Sequence, residues 1–125
     1  MQVTAAMIPG YVHLCNPEKE LVKIMAADTL LTVIDPLEIP PMGDCNLAEL
    51  KRLYGNKLTL KGNLHTTEVM LKGPVQDVIN ASKKAIDDAR EGGCFILSTG
   101  DQCGRDTPFE NIFAMVETAR TYGKY

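Results

Sequence analysis

Apolar positions along the chain fall into two alternating kinds of block. Short continuous runs give way to longer stretches with an apolar residue every three or four positions, and the alternation repeats four times. The run Ile8 to Leu14 predicts a strand that breaks at Cys15-Asn16-Pro17, and Glu18 to Ala27 follows as a helix with Leu21, Ile24 and Met25 on one face. Thr29 to Ile34 is a second strand, closed by the turn-rich stretch Asp35 to Asp44 with Pro36, Pro40 and Pro41. Asn46 as N-cap and Gly55 past the end bound a helix from Leu47 to Tyr54. Lys57 to Lys61 predicts a third strand, ended by the Gly62-Asn63 pair. Val75 to Glu91 carries Val75, Val78, Ile79, Ser82, Ile86 and Ala89 on one side and stops at Gly92-Gly93. Cys94 to Ser98 is the fourth strand, and Thr107-Pro108-Phe109-Glu110 reads as a capping box opening a helix from Pro108 to Tyr122.

Strands that are apolar throughout, each followed by a helix, predict parallel pairing, because a parallel ladder needs crossover connections and is covered on its faces. The expected class is α/β with four parallel strand-helix units. Periodicity alone does not separate an open sheet from an arc of a barrel, and no glycine-rich dinucleotide fingerprint follows any strand.

Composition narrows the function classes. With 125 residues the chain is at most one domain, and a net charge of -3 with scattered lysines and arginines leaves no footprint for nucleic acid or an anionic membrane. No apolar run reaches the roughly 18 residues of a membrane span, and Met1 to Pro9 lacks the pattern of a signal peptide, so the cytoplasm is the expected compartment. There, Cys15, Cys45, Cys94 and Cys103 are expected to be thiols, some of them metal ligands. His13 and Cys15 lie two apart on an extended segment and point the same way, so imidazole and thiolate can bind one ion.

Four blocks in order carry a resemblance: His13-Leu14-Cys15; Asp35-Pro36-Leu37-Glu38 with Pro40-Pro41-Met42-Gly43-Asp44; Lys61-Gly62-Asn63-Leu64; and Phe95-Ile96-Leu97-Ser98-Thr99-Gly100 leading to Asp106-Thr107-Pro108-Phe109-Glu110-Asn111. Together they resemble the uroporphyrinogen decarboxylase and cobamide methyltransferase superfamily. The resemblance implies a TIM-type (β/α)8 barrel of roughly 250 residues or more, of which this chain matches the C-terminal half. A half-barrel is expected to self-associate or to join a companion N-terminal half, since its sheet edges and inner face need cover.

Two branches of that superfamily imply different chemistry. The decarboxylase branch, of porphyrin biosynthesis, holds a tetrapyrrole without metal through an arginine-rich N-terminal motif that this chain does not contain. Its late glycine and histidine block is not matched either, since Asp101-Gln102-Cys103 follows Gly100. The methyltransferase branch carries a His-x-Cys pair and a later Cys as ligands of a zinc that activates a thiol, and transfers methyl between a corrinoid and that acceptor. The implied ligands here are His13 and Cys15, with Cys103 or Asp101 as the third. A gap-free match puts Asp101 there, but Cys103 gives the softer site a thiol substrate prefers and is the expected third ligand of the two.

Of the remaining candidates, His65 follows the third strand and is a proton donor, a fourth ligand or a loop histidine. Glu38 is the better substrate-binding candidate in the proline-rich loop, whereas Asp44 is expected to cap the helix after it. Packing is the expected role of Cys45 and Cys94. The corresponding partners are a small-molecule or corrinoid-protein substrate, with no nucleic acid and no membrane.

Overall fold

Each of the four apolar runs becomes a strand, and the strands lie side by side in chain order. The computed structural model describes residues 10–124. Ile8 and Pro9 of the predicted first strand, and the Met1 to Pro9 segment as a whole, lie outside the described residues. The elements are β1 (Gly10–His13), α1 (Lys19–Asp28), β2 (Leu31–Asp35), α2 (Leu47–Tyr54), β3 (Thr59–Leu64), a π-helical segment (Thr66–Leu71), α3 (Val75–Ala89), β4 (Phe95–Thr99) and α4 (Phe109–Tyr122). They form one sheet in the order β1-β2-β3-β4, and all three pairings are parallel. This is the α/β, TIM-type arrangement of four strand-helix units. No helix among the described residues is long and apolar enough to cross a membrane.

The register sorts the side chains by face. Val12, Ile34, Leu60 and Phe95 follow one another across the sheet, and Ile34 and Leu60 are fully buried in the core with Val22, Leu50, Met70 and Val78. The other row runs through His13 and Asp35 on the first pair and through Lys61 and Ile96 on the last. It is polar at its upper end and open, with Ile96 47% exposed. Leu58 and Leu60 therefore belong to the covered face, while Leu30 and Ile96 remain exposed.

Local signals fix the ends of α2. The Asn46 side chain accepts from the Glu49 N–H at 3.0 Å, and the Gly55 N–H donates to the Lys51 carbonyl. Three expectations need correction. The strand predicted at Lys57 to Lys61 is shifted to Thr59–Leu64, with Gly62 and Asn63 inside it, because the Asn63 amide donates to the Leu37 carbonyl at 2.9 Å and ties β3 to the loop after β2. Thr107 makes no capping bond: α4 starts at Phe109, and the Thr107 hydroxyl is buried without a partner among the described residues. Asp44 caps a remote helix instead of its own neighbour, its Oδ1 accepting from the backbone N–H groups of Glu18 and Lys19 at 2.9 and 3.0 Å. An acceptor at the positive end of α1 satisfies donors that no residue of Asn16 to Glu18 caps.

Candidate metal centre

His13 and Asp35 are the last residues of β1 and β2, and Asp101 follows β4 by two residues, so the groups of interest collect at the C-terminal ends of the strands. That is the face on which barrel proteins build their sites. One ligand atom each of His13, Cys15 and Asp101 lies within 4.8 Å of the others. Cys15 Sγ is 3.5 Å from His13 Nε2, and Asp101 Oδ1 is 3.9 Å from the same nitrogen. An imidazole, a thiol and a carboxylate at these separations make a donor set of the kind that zinc takes. The Cys15 thiol is held above its ordinary pKa by desolvation and by the carboxylates of Asp101, Glu38 and Glu18, so the site is short of positive charge.

The far side of His13 is also engaged. Its Nδ1 lies 2.8 Å from Asp35 Oδ1, and Asp35 Oδ2 lies 2.9 Å from the Lys61 ammonium, which in turn donates to the Tyr11 hydroxyl at 3.1 Å. Burial alone would raise the Asp35 pKa, but hydrogen bonds from Lys61, Tyr11 and His13 outweigh it and hold the carboxyl below its usual range. A polar hollow of about 280 Å³ opens beside these groups, lined by Tyr11, His13, Asp35, Lys61, Ser98 and Asp101. Tyr11 and Lys61 are not among the residues that the sequence marks out as candidates. The available signal was a lysine interrupting the apolar run Leu58-Thr59-Leu60-Lys61.

The other candidates lie around this cluster. Cys103 is outside the group and packs, half-buried, against the hydrophobic core. Glu38 is buried and its Oε2 accepts from the Asn16 N–H at 2.8 Å, holding the turn after Cys15, where Asn16 adopts a left-handed φ of 78°. His65 Nδ1 accepts from the Thr67 and Glu68 N–H groups at 3.2 and 3.1 Å, so its proton sits on Nε2, buried without a partner among the described residues. His65 and Glu38 line a crevice of about 10 Å³ with Asn63 and Gly100, room for no more than a water. Cys45 is buried in the core and its thiol is pushed up to about 12, chiefly by burial, while Cys94 is exposed at the start of β4.

Glu18, unnoticed in the sequence, is 1% exposed. Its Oε1 accepts from the Leu37 N–H at 2.7 Å, whereas Oε2 has no partner among the described residues. Burial raises its pKa to about 7; the backbone amides of Leu37 and Glu38 oppose this, and the Glu38 and Asp35 carboxylates add to it. Because the folded pKa lies above the unfolded value of 4.5, the folded chain binds the extra proton, and stability falls as pH rises from about 4.5 to about 7. The Glu18→Gln variant, which keeps the acceptor for Leu37, should be more stable than the native chain by roughly 2 kcal/mol at pH 8 and nearly equal to it at about pH 4. Urea unfolding at the two pH values checks this, and an equal difference at both would refute it.

Comparison with known proteins adds three findings. The family model for uroporphyrinogen decarboxylase (URO-D) matches residues 2–122. The methylcobamide:CoM methyltransferase MtaA of Methanosarcina barkeri is 37% identical over 75 residues, which are 60% of this chain and 21% of that protein. Its counterpart from the Fusaro strain is 36% identical over the same length. The solved structure of a methyltransferase from Methanosarcina mazei superposes with a TM-score of 0.78 at 21% identity, covering 97% of this chain and 33% of that one. The chain thus spans about a fifth of its curated relatives and a third of its structural neighbour.

Proposed function

The chain belongs to the uroporphyrinogen decarboxylase family, and on that footing we propose that it is the metal-binding part of a zinc-dependent corrinoid methyltransferase. The reaction is methyl transfer between a corrinoid, carried by a protein or free, and a thiol or similar acceptor. The observation that carries this reading is the convergence of His13, Cys15 and Asp101 at the strand ends. The similarity to the MtaA proteins supports it.

In this reading His13 Nε2, Cys15 Sγ and an Asp101 oxygen hold the ion. Zinc held by these residues would lower the pKa of a bound thiol and supply a nucleophile near neutral pH. Every other part falls to the chain itself. Glu38 keeps the turn after Cys15 in place and is assigned to substrate binding, and His65, whose Nε2–H is left without a partner among the described residues, is assigned as a hydrogen-bond donor to substrate. The polar hollow beside His13 receives the acceptor, with Ser98 offering its hydroxyl while that of Thr99 is spent on the Asp101 carbonyl. The open row of the sheet is covered by further barrel, from a second copy or a companion half.

Equilibrium dialysis of the chelator-stripped chain against zinc tests the proposal. About one zinc per folded chain is expected, because ligands on two strand ends form a complete set only together. A folded chain that takes up no zinc would overturn it, in favour of a decarboxylase-like role if it binds a tetrapyrrole without metal and of a non-catalytic half-barrel that assembles with a partner if it binds neither.

A further inference from the structure

We propose that Asp35, clamped by Lys61, is a positioning residue that fixes which nitrogen of His13 faces the metal; the metal part of this rests on the reading above. A neutral imidazole carries its hydrogen on one nitrogen and a lone pair on the other, and only the lone pair binds an ion. His13 Nε2 is the nitrogen beside Cys15 and Asp101, and Nδ1 is the one against Asp35 Oδ1 at 2.8 Å. An ionised carboxylate only accepts, so Nδ1 must carry the hydrogen and Nε2 is left free for the ion. The second oxygen of Asp35 is occupied by the Lys61 ammonium at 2.9 Å, and that ammonium also donates to the Tyr11 hydroxyl. The carboxylate is therefore pinned at both oxygens on adjacent strands and cannot rotate away from the imidazole.

The clamp makes a prediction that simple packing does not. In Asp35→Asn the ammonium still demands an acceptor, so it takes the amide oxygen and turns the amide NH2 toward His13. That donor forces His13 to present Nδ1 as an acceptor and to move its hydrogen to Nε2, closing the metal-facing nitrogen. Removing the ammonium as well, in Asp35→Asn with Lys61→Met, frees the amide to flip, present its oxygen to Nδ1 and restore the original tautomer. The double variant should thus bind zinc better than the single one. Lys61→Met alone leaves a carboxylate in place and keeps the native tautomer.

Long-range proton–nitrogen NMR of the metal-free chain reads this directly, at about pH 9, where an ordinary imidazole is neutral. The chain has two histidines, and His65, whose Nδ1 accepts from two backbone amides, provides a reference of the opposite tautomer. The expected result is hydrogen on Nδ1 of His13 and on Nε2 of His65. In Asp35→Asn, His13 should switch and zinc affinity fall about 10- to 100-fold, with recovery of both in the double variant. Hydrogen on Nε2 of His13 in the native chain would overturn the proposal, and this needs no variant to fold. So would an unchanged tautomer in Asp35→Asn, or a double variant that binds zinc more weakly than the single one. A native chain with the expected tautomers that takes up no zinc would uphold the clamp and remove the zinc reading instead.

Discussion

Replacing Cys15 with serine is expected to lower zinc affinity by more than about a hundredfold, a larger effect than any outer-shell change produces. A serine hydroxyl stays protonated near neutral pH and is a poor zinc ligand, so the site drops from three donors to His13 and Asp101. The same loss is expected for His13→Ala, and a smaller one for Asp101→Ala, because a carboxylate contributes less than a thiolate to a soft site. Cys103→Ser should leave affinity unchanged, since Cys103 packs against the core and does not join the cluster. Competition against a chromophoric chelator measures all four variants. Cys15 is exposed, so its replacement should not disturb folding, and an unchanged unfolding midpoint separates loss of a ligand from loss of structure. Affinity that survives Asp101→Ala and disappears in Cys103→Ser would move the third ligand to Cys103 and require the loop after β4 to rearrange on binding.

That choice between Asp101 and Cys103 marks where sequence reading loses its grip. Elements governed by near neighbours were legible: α2 runs from Leu47 to Tyr54 as expected because Asn46 and Gly55 act within one turn of it. The four parallel strands were legible because burial on the covered face writes itself as continuous apolar runs. What escaped depends on partners far apart in the chain. Asp44 was read as the cap of the helix beside it, yet it serves backbone groups 25 and 26 residues away. Thr107 has the spacing of a capping box, but the threonine is buried where its hydroxyl meets no donor of α4. The π-helical segment Thr66–Leu71 begins where His65 accepts two backbone N–H groups, a role no periodicity announces. Glu18 stands in the sequence only as the first residue of a helix, and only the fold places the loop after β2 over it. For the metal cluster, the alternation of a strand could join His13 to Cys15, but the third partner arrives from β4, whose loop geometry the residue types do not encode.

The loop after β2 also sets the last expected result, which concerns Gly62. Expected to end a strand, this glycine sits buried within β3, where a Cβ would lie 2.1 Å from the Pro36 carbonyl oxygen and 3.1 Å from its carbon. Those are backbone atoms, so no side-chain rotation relieves the overlap. Pro36 is itself buried, and its neighbours Asp35 and Leu37 are held by Lys61, Glu18 and Asn63. Making room for one methyl group means pushing this whole strand end outward, against an interior packed as densely as a crystal. Gly62→Ala is therefore expected to cost more than about 4 kcal/mol, at the extreme of single substitutions and a large share of a domain's total stability. The contrasting variant is Gly92→Ala, where nothing lies within 4 Å of a Cβ and only the left-handed φ of 73° opposes it. That change should cost about 1 to 2 kcal/mol. Urea unfolding compares the two. Because Asp35 adjoins Pro36, any Gly62→Ala chain that still folds should also show a displaced His13 and weakened zinc uptake, so one methyl group would damage fold and site together. Equal stability losses for the two alanine variants would mean that the loop yields easily, and that the strand end carrying Asp35 is not the rigid support the clamp on His13 requires.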